Sequence, residues 1–167
     1  MNDAKRIGVI SDTHGLLRPE AVAALQDCEF ILHAGDIGTP EILEALAEIA
    51  PVRAVRGNND RDAWAASLPE CEIITLGEAQ IYMLHDVKQM AIDPARAGHS
   101  VVISGHSHKP SVHERDGVLF LNPGAAGPRR FKLPISVAHL EVGQHGIDAK
   151  IIELDVPVKS QRRQEHR

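Results

Sequence analysis

Seven side chains fall where metal chemistry is feasible: Asp12 and His14, Asp36, Asn58, His85, and the pair His106 and His108. Each group follows a short apolar run, in "IGVIS", "FILHAG", "AVRG", "IYML" and "VVISG" respectively. Two carboxylates, four imidazoles and an amide oxygen, with no thiolate, suit a pair of borderline divalent ions such as Mn, Fe, Ni or Zn. The H-x-H of residues 106 to 108 is the densest part of this set. In an extended segment, residues two apart point to one side, so both imidazoles would face one spot with backbones about 6.6 Å apart. Alone, that tripeptide reads first as a solvated turn. Beside the other donors at strand ends, it reads as ligands of neighbouring metals, with Gly105 letting the backbone approach.

The elements that must bring these groups together are legible in the hydrophobic pattern. Val- and Ile-rich runs alternate with helical patterns over the first half: "RIGVIS", "RPEAVAALQD", "EFILHA", "TPEILEALAEIA" and "VRAV". This is a βαβαβ reading. Pro19 and Pro40 suit first-turn positions, each followed by glutamate, and Thr39 is a candidate N-cap. The second half reads as strands, "CEIITL", "QIYMLHD", "SVVIS", "SVHER", "VLFLN", "ISVAHLEV" and "IDAKIIELD", joined mostly by short turns at Gly77-Glu78, Asp116-Gly117 and Gly143-Gln144. It predicts hairpins and a second, partly antiparallel sheet, with one helix over 88–97. The fold class is α/β, two sheets with outer helices. In such sheets, loops beyond the carboxyl ends of strands assemble sites on a rigid scaffold, so one edge would collect all seven donors.

With 167 residues the chain fits one domain, taken as 1–158, with the basic run "KSQRRQEHR" at 159–167 as a solvated tail. Cys28 and Cys71 are far apart and form no C-x-x-C; both read as buried or half-buried thiols of a reduced, cytoplasmic protein. No signal segment or membrane span is expected. A net charge of -5 argues against a nucleic acid partner.

"DTH" at 12–14, "GD" at 35–36, "GNND" at 57–60, His85, "GHSH" at 105–108 and "NPG" at 122–124 appear in an order that resembles the calcineurin-like metallophosphoesterase superfamily, in its compact single-domain phosphodiesterase branch. The resemblance runs from Ile7 to about Leu154. It implies a four-layer αββα sandwich with two facing mixed β-sheets flanked by helices. It implies two divalent metal ions per chain, with Mn as the expected metal. Asp12, His14 and His108 would hold one ion, Asn58, His85 and His106 the other, and Asp36 would bridge. The implied reaction is hydrolysis of a small phosphorylated substrate, a phosphodiester, by hydroxide bound between the metals, with Asp36, Asn58 and His106 as catalytic residues. A scaffold or interaction subunit on the same fold is the alternative, and seven retained donors speak against it. A homo-oligomer is left open.

Around that core, His33 reads either as a brace for Asp36 or bound water, or as a satisfied buried histidine. Asp60 reads as an orienter of His14 or another ligand, or as an Asx turn after Asn59. Arg129 and Arg130 read as phosphate contacts or as solvated loop residues. His99, His113, His139, His145 and His166 carry no motif and are assigned to surface or core. Gly8, Gly15 and Gly124 read as turn or close-packing residues. Three positions depart from the family pattern: Asn59 where many of these phosphatases have histidine, Asp86 where glycine is usual, and Ala125 where serine is frequent. Asn59 leaves the site without an evident general acid.

Overall fold

The computed structural model describes residues 4–157. The first half follows the predicted alternation: β1 (Lys5–Ile10), α1 (Pro19–Leu25), β2 (Phe30–His33), α2 (Pro40–Ala47) and β3 (Val52–Ala54). These three strands pair in parallel, with Ile7 beside Phe30 and Ile31 beside Val52. Pro19 and Pro40 open the two helices, where a missing N–H costs nothing. Thr39 holds the N-cap position in extended backbone, but its side chain makes no capping bond. Ala21 and Leu25, like Ile42 and Leu46, are four residues apart and share a buried helix face. They pack with Ile10, Ile31 and Val137 on the outside of this sheet. Gly8 permits that approach, since a Cβ there would stand 2.5 Å from Leu25 Cδ2.

The second sheet is built from β4 (Cys71–Leu76), β5 (Ala79–Leu84), β6 (Val101–Ile103), β7 (Ser111–Arg115) and β8 (Val118–Asn122), in the order β4-β5-β6-β8-β7. β5, β6 and β8 run parallel, and each outer strand is antiparallel to its neighbour. The β7–β8 turn uses Asp116 (φ 54°) and Gly117 (φ 79°), a mirror-image turn whose twist matches the strands.

Two expectations are corrected. β9 (Ser136–Gly143) and β10 (Gly146–Glu153) form the expected hairpin, but it joins the first sheet, in the order β10-β9-β1-β2-β3. β9 lies antiparallel to β1 with Leu140 beside Ile7. An alternating pattern fits any open sheet edge, so local sequence could not choose between the two sheets. The helix expected over 88–97 is absent; a single 3-10 turn, Val87–Gln89, is followed by turns and irregular chain. Pro94 restricts the residue before it to extended backbone, and Gly98 (φ 87°) is left-handed.

The sheets face each other across one core, with Ile7, Val9 and Leu32 from the first meeting Ile81, Met83, Ile103 and Leu121 from the second. Two facing mixed sheets with outer helices are therefore present as expected, and both α-helices lie on the first sheet. Residues 86–98 cover the second, where Met90 packs on Tyr82, Leu84, Val102 and Phe120. Cys28 is buried as expected, whereas Cys71 is exposed because its strand is the sheet edge. Among the described residues no helix is long and apolar enough to cross a membrane. The basic run 159–167 and His166 lie outside the described residues.

Candidate metal centre

The strand ends converge as the parallel pairing demands. Beyond β1 come Asp12 and His14, beyond β2 Asp36, beyond β3 Asn58, beyond β5 His85, and beyond β6 His106 and His108. Asp12 Oδ1 stands 3.6 Å from His14 Nε2, 3.8 Å from His85 Nε2 and 3.4 Å from His108 Nε2. Asp36 Oδ2 stands 3.7 Å from His14 Nε2 and 3.3 Å from His85 Nε2. Two groups thus have ligand atoms close enough for a common ion: Asp12, His14 and His108, and Asp12, Asp36 and His85. Asn58 Oδ1 and His106 Nδ1 are 3.1 Å apart on the more exposed side. The His106 ring meets that of His85 edge-on at 5.1 Å.

Asp12 (φ 55°), His14 (45°), Asp36 (55°), His106 (71°) and His108 (64°) make up five of the seven described non-glycine residues in the left-handed region. Each such residue costs on the order of 1 kcal/mol, which turns the chain sharply at the strand ends and aims the side chains back over the sheet edge. This overturns the extended H-x-H reading: both His106 and His108 lie in left-handed backbone. Glycine is needed where the loops cross. A Cβ on Gly57 would overlap Asp36 Oδ1, and one on Gly105 would overlap Ser11 Oγ.

Electrostatics favour charged carboxylates. Burial alone would raise the Asp12 carboxyl, but the facing imidazoles of His108 and His14, the His85 charge and the Ser11 hydroxyl hold it far below the usual carboxylate range. Asp36 is likewise lowered against its burial, by His85 and the Asn59 N–H. Asp12 raises the proton affinity of His14 against burial and the nearby Arg130 charge. His85 is raised against its burial by Asp36 and Asp12.

These residues fit a metal on independent grounds. Asp12 Oδ1, His14 Nε2 and His85 Nε2 are buried without a hydrogen-bond partner among the described residues. His85 Nδ1 donates to Ala34 O at 2.8 Å, which in the neutral ring turns a bare Nε2 lone pair toward two carboxylates. A metal ion held between those facing atoms would satisfy them, and an imidazole anchored through its other nitrogen is the usual form of a metal ligand.

Several surrounding residues have partners that the sequence did not name. His33 does not touch Asp36: its Nδ1 accepts Gly35 N–H (3.1 Å), so Nε2–H donates to Thr13 Oγ1 (3.0 Å), whose hydroxyl donates to Ile37 O (2.8 Å). It is a neutral strut between the loops carrying Asp12 and Asp36. Asp60 does not orient His14; its carboxylate accepts N–H bonds from Ile37, Gly38 and Gly57 at 2.9–3.1 Å, locking the Asp36 loop to the Asn58 loop. Asn59 holds Asp36 twice, from N to Oδ1 (2.8 Å) and from Nδ2 to Oδ2 (3.2 Å). Arg129 donates to Leu133 O and Val156 O, both at 3.2 Å, and so clamps the loop to the end of the described chain. Arg130 is exposed.

Sequence reasoning missed Ser11, Thr13 and Asn122. Ser11 donates to Asp12 Oδ2 (2.7 Å), and Asn122 Nδ2 donates to Gly105 O (3.0 Å), fixing the histidine loop from β8. Their signal was position, beside "DTH" and inside "NPG".

His33 carries a pH prediction. Burial lowers its pKa from 6.5 to about 4. Between those values the unfolded chain takes a proton that the folded chain refuses, so this contribution is complete above pH 6.5 and is lost as pH falls toward 4. Stability should drop by about 2 kcal/mol from pH 7 to pH 5 through this residue. Urea unfolding at both pH values should show a smaller drop in His33→Gln; an equal drop rejects the neutral strut.

The chain matches the calcineurin-like phosphoesterase superfamily domain over residues 6–145. It is 40% identical over 163 residues to a probable metallophosphoesterase of Methanothermobacter thermautotrophicus, covering 91% of this chain and 94% of that one. It is 29% identical over 138 residues to a phosphodiesterase of Methanocaldococcus jannaschii, covering 71% and 82%. Its fold resembles that of vacuolar protein sorting 29 from Cryptosporidium parvum, with a TM-score of 0.73 at 21% identity over 90% of this chain and 98% of the other.

Proposed function

The chain belongs to the calcineurin-like phosphoesterase superfamily, and from that premise we propose that it is a phosphodiesterase working with two divalent ions, Mn by preference. The carrying observation is the set of partnerless, buried ligand atoms on Asp12, His14 and His85, turned toward one another. Asp12, His14 and His108 would hold one ion and Asn58, His85 and His106 the other. Asp36 Oδ2, which faces both His14 and His85, would serve both. Ions bound there supply polarisation of a phosphoryl oxygen and a water made acidic near neutral pH.

The chain's own residues do the positioning. Asn59 orients both oxygens of Asp36, and Ser11 with the His106 N–H orients Asp12 Oδ2. Arg130, close enough to oppose protonation of His14, offers an exposed guanidinium to substrate phosphate. Asn59 donates a hydrogen bond but no titrating proton, which favours esters whose leaving group departs unaided.

The test is to strip the metal, reload Mn, Ni, Zn or Mg, and screen phosphomonoesters against phosphodiesters with metal content measured in parallel. Diester turnover that a chelator abolishes is expected. Metal binding without turnover of any ester would shift the chain to the scaffold reading, which the vacuolar sorting fold keeps in view.

Metal uptake should depend on pH. His14 and His85 hold protons more firmly than ordinary imidazoles, yet ligation needs them neutral. Affinity should therefore weaken as pH falls from 8 to 6, about tenfold per unit for each proton displaced. Calorimetric Mn titration at both values checks this; a pH-independent Kd excludes these histidines as ligands.

A further inference from the structure

Two clefts open from the metal centre and share one ridge. The first, about 440 Å³, runs from Asn58 and His85 past Tyr82 and the Arg56–Glu70 pair. The second, about 590 Å³, leads over Lys88, His113 and Arg115 with Phe120 in its wall. His106 and Asp86 line both, with Nε2 and Oδ2 3.8 Å apart. A phosphodiester has two alcohol arms, and a phosphorus seated at this ridge would send one into each cleft. We infer that the second cleft selects an arm bearing a negative charge, a carboxylate or a further phosphate. This substrate class rests on the phosphodiesterase reading.

The two clefts differ in free charge. In the first, Glu70 Oε1 stands 3.2 Å from the Arg56 guanidinium and neutralises it. In the second, neither Lys88 nor Arg115 makes an ion pair among the described residues. Among the described residues the one carboxylate lining this cleft, Asp86, is turned to His106 and accepts the Lys88 backbone N–H at 3.1 Å. Arg115 is held ready: its guanidinium carbon lies 4.9 Å from the centroid of Phe120, and His113 stacks on the same ring at 5.1 Å and 5°. A guanidinium resting on a ring keeps its planar donors in place with little entropy left to lose. On a chain of net charge -5, two free cations in one concavity are a local feature.

The register sets the reach. His113 lies opposite Phe120, so Ser111, His113 and Arg115 share the face that lines the cleft. Ser111 pairs with Asn122, which anchors the histidine loop, and Arg115 is two alternations further away. A side chain reaching back from there meets a charge on the order of 10 Å from the phosphorus.

The probes are 5-carboxypentyl p-nitrophenyl phosphate and its uncharged match, hexyl p-nitrophenyl phosphate. Wild type should favour the carboxylate about tenfold in KM, and the Lys88→Gln/Arg115→Gln variant should bring the ratio near one. Equal KM values in wild type, or an unchanged ratio in the variant, overturn the inference. Calorimetry with 6-phosphonohexanoate and hexylphosphonate, which have no ester bond, separates this from the broader reading. Tighter binding of the carboxylate without turnover of either diester supports the cleft and removes the phosphodiesterase assignment. Both diesters turned over alike, with both phosphonates bound alike, does the reverse.

Discussion

Asp36→Asn should lose two to four orders of magnitude in turnover and bind fewer than two ions per chain. Asp36 is 3% exposed, and its Oδ2 faces His14 at 3.7 Å and His85 at 3.3 Å. Removing one partner of a buried charged pair costs about 3–5 kcal/mol, and each 1.36 kcal/mol is about tenfold in rate. The amide keeps the size of the carboxylate, so the fold should survive. Asn59, however, donates twice to that carboxylate, and one of those donors would meet an amide NH₂ instead. Elemental analysis beside steady-state rates on an aryl phosphodiester checks both halves. Full activity, or unaltered stoichiometry, would reject Asp36 as the residue serving both ions.

Rates should also depend steeply on the leaving group, with alkyl esters about 100- to 10,000-fold slower than aryl esters, the range that general acid assistance typically supplies. Asn59 cannot donate a titrating proton, and its amide is already bonded to Asp36 Oδ2. Nor are His33 and Asp60 free to deliver one through a bound water. Both His33 ring nitrogens are engaged, and the Asp60 carboxylate is taken up by three backbone N–H groups. A rate series over substituted phenyl phosphodiesters tests this, with Asn59→His as the comparison. A flat wild-type profile would mean that another group protonates the leaving oxygen.

The donor set was legible because strand periodicity and punctuation are local. Each apolar run ends where a carboxylate, amide or imidazole begins, and parallel strands carry their ends to one edge whatever the loops do. The same logic placed α1, α2 and the β7–β8 turn. It failed where a choice depends on residues far along the chain. The β9–β10 pattern suits either sheet, and only the free edge of β1 decides. Residues 88–97 have helical spacing, yet Pro94 and Gly98 break it on the outer face of the second sheet. The left-handed backbone at Asp12, His14, Asp36, His106 and His108 is invisible in a sequence, because aspartate and histidine adopt it only when surrounding contacts outweigh its cost. The roles of His33 and Asp60 were hidden for the same reason. Their partners are backbone N–H groups, or a hydroxyl 20 residues distant, and a backbone donor has no letter in the sequence. Residue identity thus determined which donors exist and at which strand ends; tertiary packing decided which ligand atoms face one another, and so where a cation would fit.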